Sequence, residues 1–212
     1  MPESGLTQAI VVNWSLAELG LNANFTIDDS TTVGAQVAIF WPRAEAICIG
    51  LHDWTWFRRT NKLTRLSAAP DTGYRYAFAL PGDRIGEPQK CLSDPRSRTP
   101  LRDFRIEGDA LSCDEDTVYT VCKVRRPAKD WDIQFANGFA IVLASLLAVP
   151  LLQDVDMASE KMAQALGTPR EGGAGGTFGR LIAQNRAAHP IGESHLDQDP
   201  LTMAHGPWHG RW

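Results

Sequence analysis

Between Phe135 and Leu152 the chain runs FANGFAIVLASLLAVPLL, a stretch without a single charged side chain. A helix built on it is apolar on nearly every side after Phe139, so it must be surrounded by apolar material. Only a bilayer or the centre of a protein offers that. The run barely reaches the roughly 18 residues a membrane span needs, it contains Asn137, Gly138, Ser145 and Pro150, and no basic cluster flanks it. It is therefore read as the middle helix of a bundle and not as a membrane span.

Other segments carry the pattern needed to cover it. Gly5 to Leu19 places Leu6, Ile10, Trp14 and Ala17 on one helical stripe, with Gly20 as a stop. Thr32 to Leu51 carries a wide stripe that includes Val37, Phe40, Trp41, Ala44 and Cys48, with Pro42 expected to bend it. Helix is expected again from Asp130 to Leu152, ended by Pro150, and from Val155 to Leu166. Between the second and third of these the period drops to two. Tyr74, Tyr76, Phe78 and Leu80 alternate towards Pro81-Gly82-Asp83, and Glu107-Gly108-Asp109 reads as a hairpin turn. Val118, Val121 and Val124 mark a later β-rich run. The expected fold is mainly α: an antiparallel bundle of about four helices, with a β-rich insertion between the second and third helices and an extended C-terminal tail. In residue numbers, the bundle domain is 1–166, the insertion within it 54–128, and the tail 167–212.

The tail opens on Gly172-Gly173-Ala174-Gly175-Gly176, which cannot form regular helix, and leaves room for one brief helical piece from Phe178 to Ala188. From His189 onward it shows no periodicity. It nevertheless holds Phe178, Leu181, Ile182, Leu196, Leu201, Trp208 and Trp212. Large apolar side chains are costly to leave in water, so these are predicted to dock on a partner and to order on assembly. On that reading a chain ending at Leu166 keeps its fold.

Few residues suggest chemistry. Among 212 residues, 21 Lys and Arg face 25 Asp and Glu, a net −4 that argues against a protein gripping nucleic acid by its phosphates. The four cysteines (Cys48, Cys91, Cys113 and Cys122) have no zinc spacing and are too sparse for a disulfide scaffold. With no signal-peptide pattern at Met1–Gly5, a reducing cytoplasm is the expected compartment. His189, His195, His205 and His209 lack ligand spacing, there is no GxSxG elbow, and the glycine run has no P-loop lysine. Asp114-Glu115-Asp116 reads as a solvated turn, and no carboxylate pair stands out for acid–base work. No catalytic residue, cofactor site or metal site is assigned. The densest aromatic group, Trp54-Thr55-Trp56-Phe57, sits where helix gives way to strand and is read as a structural anchor.

The order of these features resembles a known family. Phe40-Trp41-Pro42-Arg43-Ala44-Glu45, then Leu51-His52-Asp53-Trp54-Thr55-Trp56-Phe57, is similar to the tryptophan–proline and histidine–tryptophan signature of head-to-tail adaptor proteins of tailed bacteriophages and gene transfer agents. Pro70, Tyr74-Arg75-Tyr76-Ala77 and Leu80-Pro81-Gly82-Asp83-Arg84 resemble a later segment of that family, Leu16–Gly20 its first helix, and Phe135–Leu152 its long apolar helix. The resemblance spans about residues 5–165. An aspartate usual after the arginine of the second helix is replaced by Glu45, and the tail matches nothing in the family.

The resemblance implies a structural virion protein without catalysis. It implies a ring, usually of twelve copies, beneath the portal protein and above a tail, stopper or nozzle protein. DNA passes through without sequence-specific binding. The location is the virion neck, after assembly in the host cytoplasm. Within that picture Trp41, Trp54, Trp56, Phe57, Pro81 and Asp83 are structural anchors. Asp114, Glu115 and Asp116 are candidates to face the channel, and Phe178, Leu181, Ile182, Leu196, Leu201, Trp208 and Trp212 are candidates to dock on the portal or a neighbouring copy. Two rivals are a stopper or tail-completion protein, typically smaller and richer in β, and a virion-borne cell-wall hydrolase, which needs a carboxylate pair in a cleft.

Overall fold

The computed structural model describes residues 5–97, 99–168, 170 and 175–188. The charge-free run forms the third helix, α3 (Ile133–Leu152). Asp132 caps its start, accepting from the backbone N–H of Gln134 at 2.8 Å and of Phe135 at 3.2 Å. The helix does not stop at Pro150. It runs two residues further, because in the last turn the ring forfeits a single intrahelical bond and Gln153, left-handed at φ 56°, closes the end on the Val149 carbonyl at 2.9 Å.

Four helices cover it: α1 (Gln8–Glu18), α2 (Thr32–Gly50), α4 (Val155–Leu166) and α5 (Gly176–Ala188), all packed on α3. Length and composition alone would let α3 cross a membrane, but 67 % of its most apolar 18-residue window is buried inside the chain. The face of α1 turned inward is Val11, Val12, Ser15 and Leu16. That corrects the expected stripe: Leu6, Ile10 and Trp14 are only partly buried and Ala17 is exposed. The helix α2 continues through Pro42, which points outward, so its missing N–H is lost on the solvent side.

Among the described residues, all seven strands lie between α2 and α3: β1 (Arg58–Lys62), β2 (Thr64–Arg65), β3 (Tyr76–Ala79), β4 (Lys90–Leu92), β5 (Arg105–Glu107), β6 (Ala110–Cys113) and β7 (Tyr119–Lys123). They form two antiparallel sheets, in the orders β1-β7-β4 and β2-β3-β6-β5, with Thr60 opposite Val121 and Phe78 opposite Leu111. These sheets bury a hydrophobic cluster of their own from Leu63, Phe78, Leu80, Cys91, Leu111, Cys113 and Val118. Among the described residues the fold is therefore mixed, five helices with two antiparallel sheets, and not a mainly α four-helix bundle. The physical reason is that second core: the period-two segment holds its own apolar interior instead of decorating the bundle.

The tail expectation also needs correction. Residues 176–188 form α5, which packs against α3 and α4 and buries Phe178, Leu181 and Ile182 in the helical core. These three side chains are thus used within the chain and are not held ready for a partner. Gly176, at φ 58°, makes the entry to α5: a Cβ there would lie 2.5 Å from the Gln164 carbonyl oxygen. Gly138 is the notch that receives Phe178, since a Cβ at 138 would come within 3.0 Å of its ring. Gly138→Ala is expected to destabilise the chain by about 1–3 kcal/mol through overpacking. Chemical denaturation tests this, and an unchanged midpoint would mean that the ring can slide aside.

Candidate functional site

Of the residues singled out by sequence, Trp41, Trp54, Trp56, Phe57 and Phe178 converge on one aromatic junction. Trp54 opens the short turn at Thr55–Phe57 and is fully buried, its indole N–H donating to the Cys48 carbonyl at 3.0 Å. Its ring stacks on Trp56 at 5.1 Å and meets Phe135 edge-on at 5.5 Å and Phe178 at 6.0 Å. Phe57, also fully buried, lies edge-on to Phe135 at 5.2 Å. On the other flank Trp41 stacks on Trp131 at 5.7 Å, and both rings lean on Phe139. Offset and edge-to-face pairs of this kind add about 0.5–1.5 kcal/mol each to the area they bury. The junction thereby fastens α2, the start of β1, α3 and α5 together.

Several polar groups at its edge are satisfied from within, although the Trp56 indole N–H has no partner among the described residues. Trp131 donates to the Arg126 carbonyl at 2.9 Å, and Trp41 donates to Glu45 Oε1 at 3.0 Å. Burial pushes the Glu45 carboxyl above its ordinary range, while the Trp41 hydrogen bond and the Arg125 charge, 3.1 Å away, pull it back. Asn185 of α5 donates to Thr55 Oγ1 at 2.9 Å, leaving its Oδ1 to accept from His52 Nε2 at 3.1 Å. That assigns the His52 proton to Nε2. His52 also sits edge-on to Trp54 at 5.0 Å.

Burial lowers the His52 pKa, opposed chiefly by the Asn185 hydrogen bond. A histidine whose folded pKa lies below its unfolded value binds protons more weakly when folded. Its contribution is complete above the unfolded pKa of about 6.5 and is lost as pH falls through the folded value. Melting between pH 7.5 and 5.5 is expected to drop more for the parent than for His52→Gln. Equal drops would assign the acid sensitivity to other groups.

Pro81 and Asp83 lie beside the sheets, not in the junction. The Pro81 carbonyl accepts from Arg84 N–H, and Asp83 pairs with Arg59 at 2.6 Å while its carbonyl accepts from Arg125 N–H at 3.3 Å. Both partners of the ion pair are well exposed, so it contributes at most about 1 kcal/mol. Asp114, Glu115 and Asp116 form an exposed turn after β6, where Asp114 accepts from the Arg75 backbone N–H at 2.9 Å. Leu196, Leu201, Trp208, Trp212 and the four histidines from His189 onward lie outside the described residues.

Reactive chemistry finds little footing. All four cysteines are buried; burial raises the thiols of Cys48 and Cys113 and takes Cys91 up to about 12, so these three stay protonated and weakly nucleophilic. Among the described residues no three His, Cys, Asp or Glu side chains converge as a metal site. A cleft of about 700 Å³ opens between α1, the first turn of α3 and α5, with Trp14, Ala17, Ile133 and Leu181 among its lining residues. Among the described residues its one carboxylate is Glu18, tied to Lys161 at 2.6 Å, so they offer no acid–base pair there.

Sequence reasoning passed over Trp131 and the polar link through Asn185. A tryptophan just ahead of an apolar helix, and Asn185 seven residues after Phe178 on the same helical face, were the available signals. Comparison of the chain with protein-family models gives no match, and comparison with curated proteins gives none either.

Proposed function

We propose that the chain is a structural connector of a tailed virion, a subunit of the ring that joins the portal to the tail and forms part of the DNA channel. One observation carries this reading: two of the segments that bear the resemblance, Phe40–Glu45 and Leu51–Phe57, meet at one junction, and the third, Leu80–Arg84, is tied to it from the sheet side through Val124-Arg125. Trp41, Trp54 and Phe57 supply rings of the junction. The Phe57 carbonyl accepts from Val124 N–H at 2.9 Å, and the next residue, Arg125, reaches the Asp83 carbonyl. A signature spread along the chain thus describes one physical object, the joint between helices and sheets. The cleft, without a carboxylate pair among the described residues, weighs against the hydrolase reading.

The exposed run Asp114–Asp116 suits a channel wall, since phosphates sliding past a carboxylate surface find nothing to hold them. With Phe178, Leu181 and Ile182 used internally, the proposed portal-docking residues narrow to Leu196, Leu201, Trp208 and Trp212. Native mass spectrometry of the full chain with the portal protein is expected to show one large cyclic species. A chain that remains monomeric and joins no portal would overturn the reading, and hydrolysis of peptidoglycan by the purified protein would move it to the enzyme class.

A further inference from the structure

The outer face of α2 is unusual for a helix bordering water. Its 19 residues include two charges, Arg43 and Glu45, and Glu45 is turned inward at 8 % exposure. The exposed side presents Ala35, Ala38, Ile39, Pro42 and Ala46, with Ile39 63 % exposed and Arg43 at the margin. Helices facing solvent ordinarily carry charges along that face; an apolar stripe several turns long is the pattern of a packed one. Small side chains here let a second backbone approach closely.

The counterpart is offered by α4. Both helices pack on α3, with no substantial contact between the two. The exposed face of α4 sets Val155, Ser159 and Ala163 beside an acidic row, Asp156 and Glu160. Val155 is 67 % exposed, and Val149 at the neighbouring end of α3 is 45 % exposed. Among the described residues Arg43 has no ion-pair partner, and neither Asp156 nor Glu160 has one. One face is apolar with an unpaired cation at its margin. The other is built of small side chains, Val155, Ser159 and Ala163, with two unpaired anions beside them.

We infer that these two faces are the halves of one contact between copies of this chain, α2 of one copy lying on α4 of the next. Two different faces make a heterologous interface, and repetition of such a contact closes a ring when the rotation permits. The inference rests on the ring proposed above and names the surface that builds it.

Charge reversal in the full chain tests it. Arg43→Glu sets carboxylates against carboxylates at every contact, and Asp156→Lys with Glu160→Lys sets cations against cations. All three positions are exposed, and melting curves check that both variants fold. Each variant alone is expected to lose assembly by roughly tenfold or more, as like charges brought together at an interface oppose association. An equal mixture is expected to recover it, because alternating copies pair every glutamate with a lysine and every arginine with a carboxylate. If wild type assembles and neither reversal affects it, the contact lies elsewhere and the ring proposal survives. If Arg43→Glu loses assembly while the lysine variant assembles normally, α4 is not the partner of α2 and the inference fails. A photo-crosslinker at Ile39 is expected to reach α4 of another copy; capture of residues 189–212 of the same copy would overturn it. Wild type that stays monomeric even beside the portal would remove both the ring and this contact.

Discussion

Trp54→Ala is expected to be the most damaging single substitution in the chain, costing roughly 3–5 kcal/mol as a truncated buried aromatic. That is a large part of a total stability of about 5–15 kcal/mol. Trp54 is fully buried, and its ring touches His52, Trp56, Phe135 and Phe178, so the void would open where three helices and the first strand meet. Loss of the indole also strands the Cys48 carbonyl, a buried acceptor whose desolvation adds about 1–3 kcal/mol if nothing replaces the donor. Trp56→Ala is expected to cost less, because Trp56 is half-buried and its indole N–H has no partner among the described residues. Urea unfolding of both variants checks the order. Two variants that unfold like the parent but no longer join the portal would make the cluster a binding surface instead of an anchor.

The helices could be read from sequence to the extent that one force dominated each. A run with no charge from Phe135 to Leu152 leaves no alternative to burial, and α3 follows it nearly residue for residue. The bounds of α4 are equally plain, with Asp154 as cap, its carboxylate accepting from Met157 N–H at 2.8 Å, and glycine after Leu166. Trouble came where two faces were both apolar. In α1 the stripe through Leu6, Ile10 and Trp14 is as regular as that through Val12, Leu16 and Leu19, and only tertiary packing turns the second one inward. Periodicity states that a face is apolar, not which neighbour claims it.

The sheets show a different limit. Short strands of two to five residues carry too few alternations to announce a second core, and the partners that build it are distant. Phe78 finds Leu111, and Cys91 faces Thr120, through pairings no local window contains. Hence the segment read as an insertion although it holds an interior, and the class came out mainly α. At the junction, the anchoring residues were legible because aromatic density is itself local. Trp131 and Asn185 were not, since each matters through a residue far away in sequence: Trp41 for one, His52 for the other.

A chain shortened to end at Leu166 is expected to lose much of its stability, the reverse of what a loose arm from residue 167 would give. The glycine run obscured a simple pattern: Phe178, Leu181, Ile182 and Asn185 stand at the spacing of one helical face, and all four are buried in the folded chain. Each large side chain among them contributes roughly 1.5–3 kcal/mol when fully buried, set against the entropy of ordering the helix that carries them. Removing Phe178 also empties the notch at Gly138 and uncovers Trp54 and Phe135, a void of the kind that costs about 3–5 kcal/mol. At about 2–4 °C per kcal/mol for a chain of this size, the shortened protein should melt some 10 °C or more below the parent, if it melts cooperatively at all. Phe178→Ala in the full chain is expected to reproduce most of that fall. A chain ending at Ala188 keeps α5, and if it melts with the parent, any portal attachment it loses can be assigned to residues 189–212. Parental melting by the chain that ends at Leu166 would show that α5 rests on the bundle without supporting it, and the burial of Phe178 would then be a consequence of the fold and not one of its causes.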